Sequence, residues 1–204
     1  MKSVRKIFFK DYPFLIDENV YAPAEDTFLL AENLRVYEGE FVLGMGTGCG
    51  ILAVLAAEKA DEVLAVDINP YAIRCAKKNA KINRVADKVE FLLGDLFEPI
   101  KPKGIFDLII FNAPYLPSEI GEEKSWIGKA WAGGKTGRKV IDRFISDAPN
   151  FLRPNGRIML VQSSLSNVNE SLDAFNKLGL NAKVIAETKV PFEKIILIEA
   201  QFRN

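Results

Sequence analysis

A chain of 204 residues that is 49% hydrophobic and 26% charged is expected to bury one core, which excludes a disordered or low-complexity protein. Its 27 basic and 27 acidic residues cancel, which argues against a protein that holds nucleic acid mainly through phosphates. With no histidine, His-based metal sites, triads and proton shuttles are excluded; two cysteines, Cys49 and Cys75, are too few for a disulfide framework. A reducing cytoplasm is the expected home, with no membrane span and, from residues 1–6 (MKSVRK), no signal peptide. In chain order the pattern predicts a helix over 24–36, a strand over 40–44, a helix over 50–58 and a strand over 62–67. A helix over 70–83 follows, opened by Pro70 at its tolerated first position, then strands over 88–93 and 106–112. Next come a helix over 137–151, a strand over 156–162, a helix over 167–178 ended at Gly179, and strands over 181–187 and 193–200. This alternation predicts an α/β fold with a seven-stranded, mostly parallel sheet and helices on both faces. Only the turn around Pro191 separates the last two strands, so they should close the sheet as a hairpin with one antiparallel strand. Absent repeats and linkers, one domain over 1–204 is expected.

Four strand ends then carry the chemistry. The first runs through Phe41-Val42-Leu43-Gly44-Met45-Gly46-Thr47-Gly48-Cys49-Gly50. Glycines let a backbone turn tightly and approach a ligand, and the following helix offers free N–H groups. A nicotinamide loop would read G-x-G-x-x-G/A; counted from Gly44 or Gly46 the sixth residue is Cys49 or Ile51, so it does not fit. The second strand ends at Asp67, about 20 residues after the glycines, where a carboxylate can accept two hydrogen bonds from a ribose diol. Its competing role is to cap the helix at Pro70. The third ends in Leu93-Gly94-Asp95-Leu96, which could be an ordinary Asp turn. A fourth, buried strand ends in Asn112-Ala113-Pro114-Tyr115. The competing reading of that stretch is a plain strand-exit turn, since Asn and Pro are turn formers.

The Gly46-x-Gly48-x-Gly50 loop resembles the first motif of Rossmann-like class I methyltransferases dependent on S-adenosylmethionine (AdoMet). Asn112-Ala113-Pro114-Tyr115 resembles the N-P-P-Y motif of those acting on planar amino nitrogens. Val20-Tyr21-Ala22-Pro23-Ala24-Glu25-Asp26-Thr27-Phe28-Leu29-Leu30, the stretch from Ala130-Trp131-Ala132-Gly133-Gly134 through Phe144, and Val190-Pro191-Phe192-Glu193 resemble the archaeal and eukaryotic branch of the HemK-like release-factor glutamine methyltransferases. The resemblance spans roughly residues 21–199. It implies AdoMet as cofactor, with Thr27, Gly44, Gly46, Gly48, Gly50, Asp67, Ile68, Asp95, Leu96 and Asn112 as cofactor-binding positions and no metal. It implies Asn112, Ala113, Pro114 and Tyr115 as the catalytic set. The Asn112 side-chain oxygen and the Ala113 carbonyl would accept the substrate N–H bonds, and the Tyr115 ring would stack on the substrate plane. Such a nitrogen is a poor nucleophile because its lone pair is delocalised; two acceptors can turn that pair toward the methyl group. The implied substrate is the glutamine of the G-G-Q tripeptide in a class I translation release factor. A small zinc-binding activator subunit would pair with the edge strand near 89–93. Residues 1–36 would cover the cofactor, and 37–204 would form the core.

Two positions depart from the family pattern. Gly44 stands where an acidic residue is usual, which implies weaker AdoMet binding unless Asp26 or water compensates. Ala113 replaces the first proline, which keeps the carbonyl but loosens the loop. Other readings are a nucleic-acid adenine N6-methyltransferase, a protein-lysine methyltransferase, and an AdoMet-binding scaffold without turnover. The first needs a basic groove and base flipping, neither evident here, and a lysine must first lose its charge. Thr27 could equally cap a helix, and Lys124, Lys129, Lys135, Arg138 and Lys139 read as a solvated basic loop. Cys49, with no base beside it, reads as a small turn residue.

Overall fold

The computed structural model describes residues 5–101 and 103–202; Met1, Lys2, Ser3 and Val4, on which the absence of a signal peptide was argued, lie outside the described residues. The chain opens with a hairpin that periodicity did not predict, β1 (Arg5–Phe9) and β2 (Tyr12–Ile16). There follow α1 (Glu25–Asn33), β3 (Phe41–Met45), α2 (Ile51–Ala57), β4 (Glu62–Asp67), α3 (Pro70–Ile82), β5 (Val89–Leu93) and β6 (Phe106–Asn112). The second half holds α4 (Trp126–Trp131), α5 (Lys139–Asp147), β7 (Leu152–Ser163), α6 (Val168–Lys177), β8 (Leu180–Val190) and β9 (Glu193–Phe202).

The seven-stranded sheet has the order β5-β4-β3-β6-β7-β9-β8. Every pairing is parallel except those of β9, which runs against both β7 and β8. The expected closing hairpin is therefore present, turned by Pro191 and by Phe192 at φ +71°. Parallel neighbours need crossover connections, and the helices supply them. Leu108, Ile109, Ile110 and Phe111 of β6 are all buried. Successive side chains on a strand point to opposite faces, so both faces of β6 are covered. On one hand α1, α2 and α3 pack one against the next; on the other α5 packs against α6.

The expected helix over 137–151 divides. After Asp147 the chain tightens into a 3-10 turn, Ala148–Phe151, because Pro149 has no N–H to continue the α-helical ladder. The expected helix over 24–36 stops at Asn33, and Leu34 is extended. Short α4 was not predicted at all.

The N-terminal hairpin is fastened to α3 by amide side chains. Fully buried Asn79 accepts from Leu15 N–H at 2.9 Å and donates to Leu15 C=O at 2.9 Å, which copies a strand pairing with one side chain. The same Nδ2 reaches the Cys49 carbonyl at 2.8 Å, and Asn83 holds the Pro13 carbonyl at 2.9 Å. No helix among the described residues is long and apolar enough to cross a membrane.

Candidate active site

The chain winds away from β3 toward β4 and from β6 toward β7, so a crevice must open at the carboxyl ends of these strands. A cleft of about 280 Å³ lies there. Its floor comes from the loop after β3, where Gly46 and Gly48 take φ of +60° and +57°. A Cβ on Gly46 would stand 2.9 Å from Phe111 Cε2, so this approach between loop and β6 requires glycine. The turn is closed by Thr47 N–H to Val66 C=O at 2.9 Å and Gly50 N–H to Thr47 C=O at 2.8 Å.

Asp67 at the end of β4 ties itself to that loop. Its Oδ2 accepts from Gly48 N–H at 2.8 Å, and its Oδ1 accepts from Asn69 N–H at 2.8 Å. Each oxygen keeps a lone pair for a ligand. Burial pushes the carboxyl above its usual range, opposed by the Gly48 and Asn69 N–H groups. The cap of α3 is Asn69, whose side chain accepts from Tyr71 N–H at 2.9 Å; the capping role considered for Asp67 belongs two residues later. Ile68 also lines the cleft. Beyond β5, Leu96 is buried in the cleft wall with φ +47°, and Asp95 is paired with Arg143 at 3.0 Å. That Asp95 is engaged by a side chain of α5 had no sequence signal.

The remaining wall is the end of β6. Asn112 Nδ2 donates to Thr27 Oγ1 at 3.2 Å, while buried Asn112 Oδ1 has no protein partner. Thr27 is the third residue of α1 and is buried, not a cap; the N-cap is Ala24, with no side-chain bond. Thr27 Oγ1 donates to Asp26 Oδ1 at 3.2 Å. Asp26 Oδ2 in turn accepts from Tyr21 at 3.3 Å and Tyr115 at 3.1 Å. Burial first, and then the Asp26 charge, raise both tyrosine hydroxyls well above their ordinary pKa. With its oxygens so occupied, Asp26 is not free to compensate for Gly44.

The structure does not bring every expected residue to the cleft wall. Pro114 and Asn112 line it, whereas Ala113 is buried and Tyr115 faces an adjoining cavity of about 340 Å³ with Asp26 and Trp131. Gly44 lies inside β3, paired to Ala65 and Ile110. Gly50 packs on α3, where a Cβ would meet Ala76 Cβ at 2.8 Å. Residues that sequence reasoning left out are Thr47, whose buried Oγ1 has no partner, and Arg143. Of the basic stretch, Lys129 and Lys139 line the cleft, but Arg138 is buried and holds the Ser166 carbonyl at 2.6 Å and Asp142 at 2.7 Å. Burial pushes the Cys49 thiol up to about 12, so it is not a nucleophile.

The donor set fits an adenosine-bearing sulfonium. A carboxylate with spare lone pairs stands by the glycine loop, an apolar side chain stands by Asp95, and the amide oxygen of Asn112 in the wall has no protein partner.

Comparison with known proteins finds methyltransferases. The family described as the TRM5/TYW2 methyltransferase domain matches residues 30–124. A Methanocaldococcus jannaschii protein assigned as a protein N5-glutamine methyltransferase is 43% identical over 183 residues, which cover 89% of this chain and 91% of that protein. Methyltransferase HEMK2 of Mus musculus is 37% identical over 175 residues, covering 79% of this chain and 80% of its own length. Among solved structures, the E. cuniculi Mtq2–Trm112 complex, responsible for methylation of the eRF1 translation termination factor, superposes with a TM-score of 0.68 at 22% identity. That match covers 91% of this chain and 99% of the other.

Proposed function

This chain belongs to the HEMK2/Mtq2-like protein N5-glutamine methyltransferases, of the archaeal and eukaryotic branch, and we propose that its target is the G-G-Q glutamine of a class I translation termination factor. The observation that carries the reading is the buried side-chain oxygen of Asn112, a residue of the cleft wall, which has no protein partner. A glutamine amide has two N–H donors and needs acceptors, not a base. The chain contains no histidine to act as one.

AdoMet is the proposed cofactor; when bound it supplies an electrophilic methyl group on sulfur. Asp67 would hold the ribose hydroxyls, Leu96 would pack against the adenine and Asp95, beside Arg143, would accept from its amino group, while the glycine loop would allow close approach. Asn112 Oδ1 and the Ala113 carbonyl orient the substrate nitrogen, and Pro114 fixes the backbone between them and Tyr115. Held there, the cofactor would supply the methyl group, and the one proton that the amide nitrogen must lose would pass to water, since the chain holds no histidine. Val20, Tyr21, Pro23 and Thr27 wall the cleft, so the segment before β3 shields the reaction from solvent.

A small zinc-binding activator subunit is the proposed partner at β5. The two sheet edges differ. β8 carries an irregularity between Val184 and Ala186 and exposed Lys183 and Lys189, devices that discourage pairing. β5 has no such irregularity, and Leu93 is 56% exposed beside half-buried Phe91 and Leu92. The Mtq2–Trm112 complex is the precedent for such a pair.

The test is incubation of the chain, with and without that subunit, with AdoMet and a termination factor carrying G-G-Q, read by mass spectrometry. One added methyl on the glutamine, absent from a Gln→Ala factor, is expected. AdoMet binding without methylation in either case overturns the assignment of substrate.

A further inference from the structure

The carboxylate of Asp26 is 5% exposed and lies outside the cleft, yet a continuous chain of hydrogen bonds joins it to Asn112. We infer that Asp26 and Thr27 are positioning residues which fix the direction of every bond in that chain and so hold the Asn112 amide with its oxygen toward the substrate. An ionised carboxylate only accepts. Asp26 Oδ1 takes Thr27 N–H at 2.6 Å and the Thr27 hydroxyl at 3.2 Å, while Oδ2 takes the hydroxyls of Tyr21 and Tyr115. Thr27 has one hydroxyl proton, and it is spent on Asp26. Toward Asn112 the hydroxyl can therefore only accept.

The two ends of an asparagine amide have nearly the same shape, so packing hardly distinguishes them. A neighbour that can only accept does distinguish them: it selects the NH2 end. Asn112 Nδ2 turns to Thr27 at 3.2 Å, and Oδ1 is left without a protein partner. A buried acceptor without a partner is costly, so the polarity of the chain is what keeps it facing the right way in the absence of substrate. Removing the hydroxyl at position 27 frees the amide to turn its NH2 toward the substrate, where it would oppose the incoming N–H donor. The inference rests on Asn112 Oδ1 being the acceptor for the substrate nitrogen.

The test compares Thr27→Val, which keeps the shape without the acceptor, and Thr27→Ser, which keeps the acceptor. Turnover of the G-G-Q factor should fall about three- to tenfold in Thr27→Val, the worth of one hydrogen bond, and recover in Thr27→Ser. The fall should be in kcat, with little change in KM for AdoMet. A readout independent of substrate is the side-chain 15N–1H pair of Asn112, assigned by its loss in Asn112→Asp. It should shift and exchange faster in Thr27→Val and return in Thr27→Ser. An unmoved Asn112 pair, or a loss confined to KM for AdoMet, overturns the inference. If the parent protein leaves the factor unmethylated, the substrate reading fails, and the Asn112 resonances still decide the positioning role.

Discussion

Gly48 N–H points at Asp67 Oδ2 across 2.8 Å, so the glycine loop after one strand is held by the carboxylate that ends the next. Burial raises the Asp67 pKa despite this bond. Its ionised form is therefore disfavoured in the folded chain relative to the unfolded one. The contribution of Asp67 to stability should be greatest below the ordinary carboxylate pKa, and should fall as pH rises through the raised value. Melting of the parent and Asp67→Asn across acidic to neutral pH checks this; a difference between them that grows in favour of the parent as pH rises would contradict it. AdoMet affinity should move the opposite way, strengthening as Asp67 ionises, which calorimetry at the same pH values would detect.

Arg143 and Asp95 are both partly exposed, so their pair is worth at most about 1 kcal/mol. Arg143→Ala should weaken AdoMet binding by no more than about fivefold, and the difference from the parent should shrink in high salt. Titration at two ionic strengths measures it. A loss of several orders of magnitude would mean that Arg143 meets the cofactor directly.

The glycines divide by what surrounds them. At Gly50, with φ +88°, a Cβ would lie 2.9 Å from the Ala76 Cα, a backbone atom that cannot swing aside. Gly50→Ala should force α2 from α3 and cost about 2 kcal/mol or more. At Gly44 the nearest atom to a Cβ is 4.0 Å away, and Gly44→Ala should leave the denaturant midpoint nearly unchanged. Urea unfolding of both variants makes the comparison. Tighter AdoMet binding in a Gly44→Glu variant that keeps the parent's melting transition would show that the missing carboxylate limits affinity.

At the sheet edge, Leu93→Lys places a charge on an exposed strand without touching the core. It should leave the melting temperature of the isolated chain within a few degrees and abolish co-elution with the activator subunit. Lys183→Leu on the opposite edge should not create a binding site for it.

The main sheet was legible because β3, β4 and β6 are unbroken apolar runs, and because Gly46, Asp67 and Asn112 each stand at a strand end. The hairpin β1–β2 was not. Pro13 and the charges of Arg5, Lys6 and Lys10 obscure its alternation, and it is tied down by burial of Phe14 and Ile16 and by side chains of α3, 60 or more residues away in sequence. Arg138 shows the same limit in reverse. It sits among lysines and reads as solvated, but the carbonyls of Ser166 and Asn167 draw it inside. Local pattern reports what a segment prefers; it does not report which distant groups lack partners. The cleft inherits this division, since strand ends supply its readable residues, while the loop before α1 supplies Tyr21 and helices α4 and α5 supply Trp126 and Arg143.

Asn79 spans from Leu15 to Cys49 with a single amide, and so joins two parts of the protein in one thermodynamic account. Order gained in the glycine loop lowers the entropy still to be lost when the hairpin settles on α3, and order gained in the hairpin does the same for the loop. The N–H of Leu15 should therefore act as a remote gauge of the cleft: its hydrogen-exchange rate is expected to slow when a ligand fills a site to which it does not itself belong.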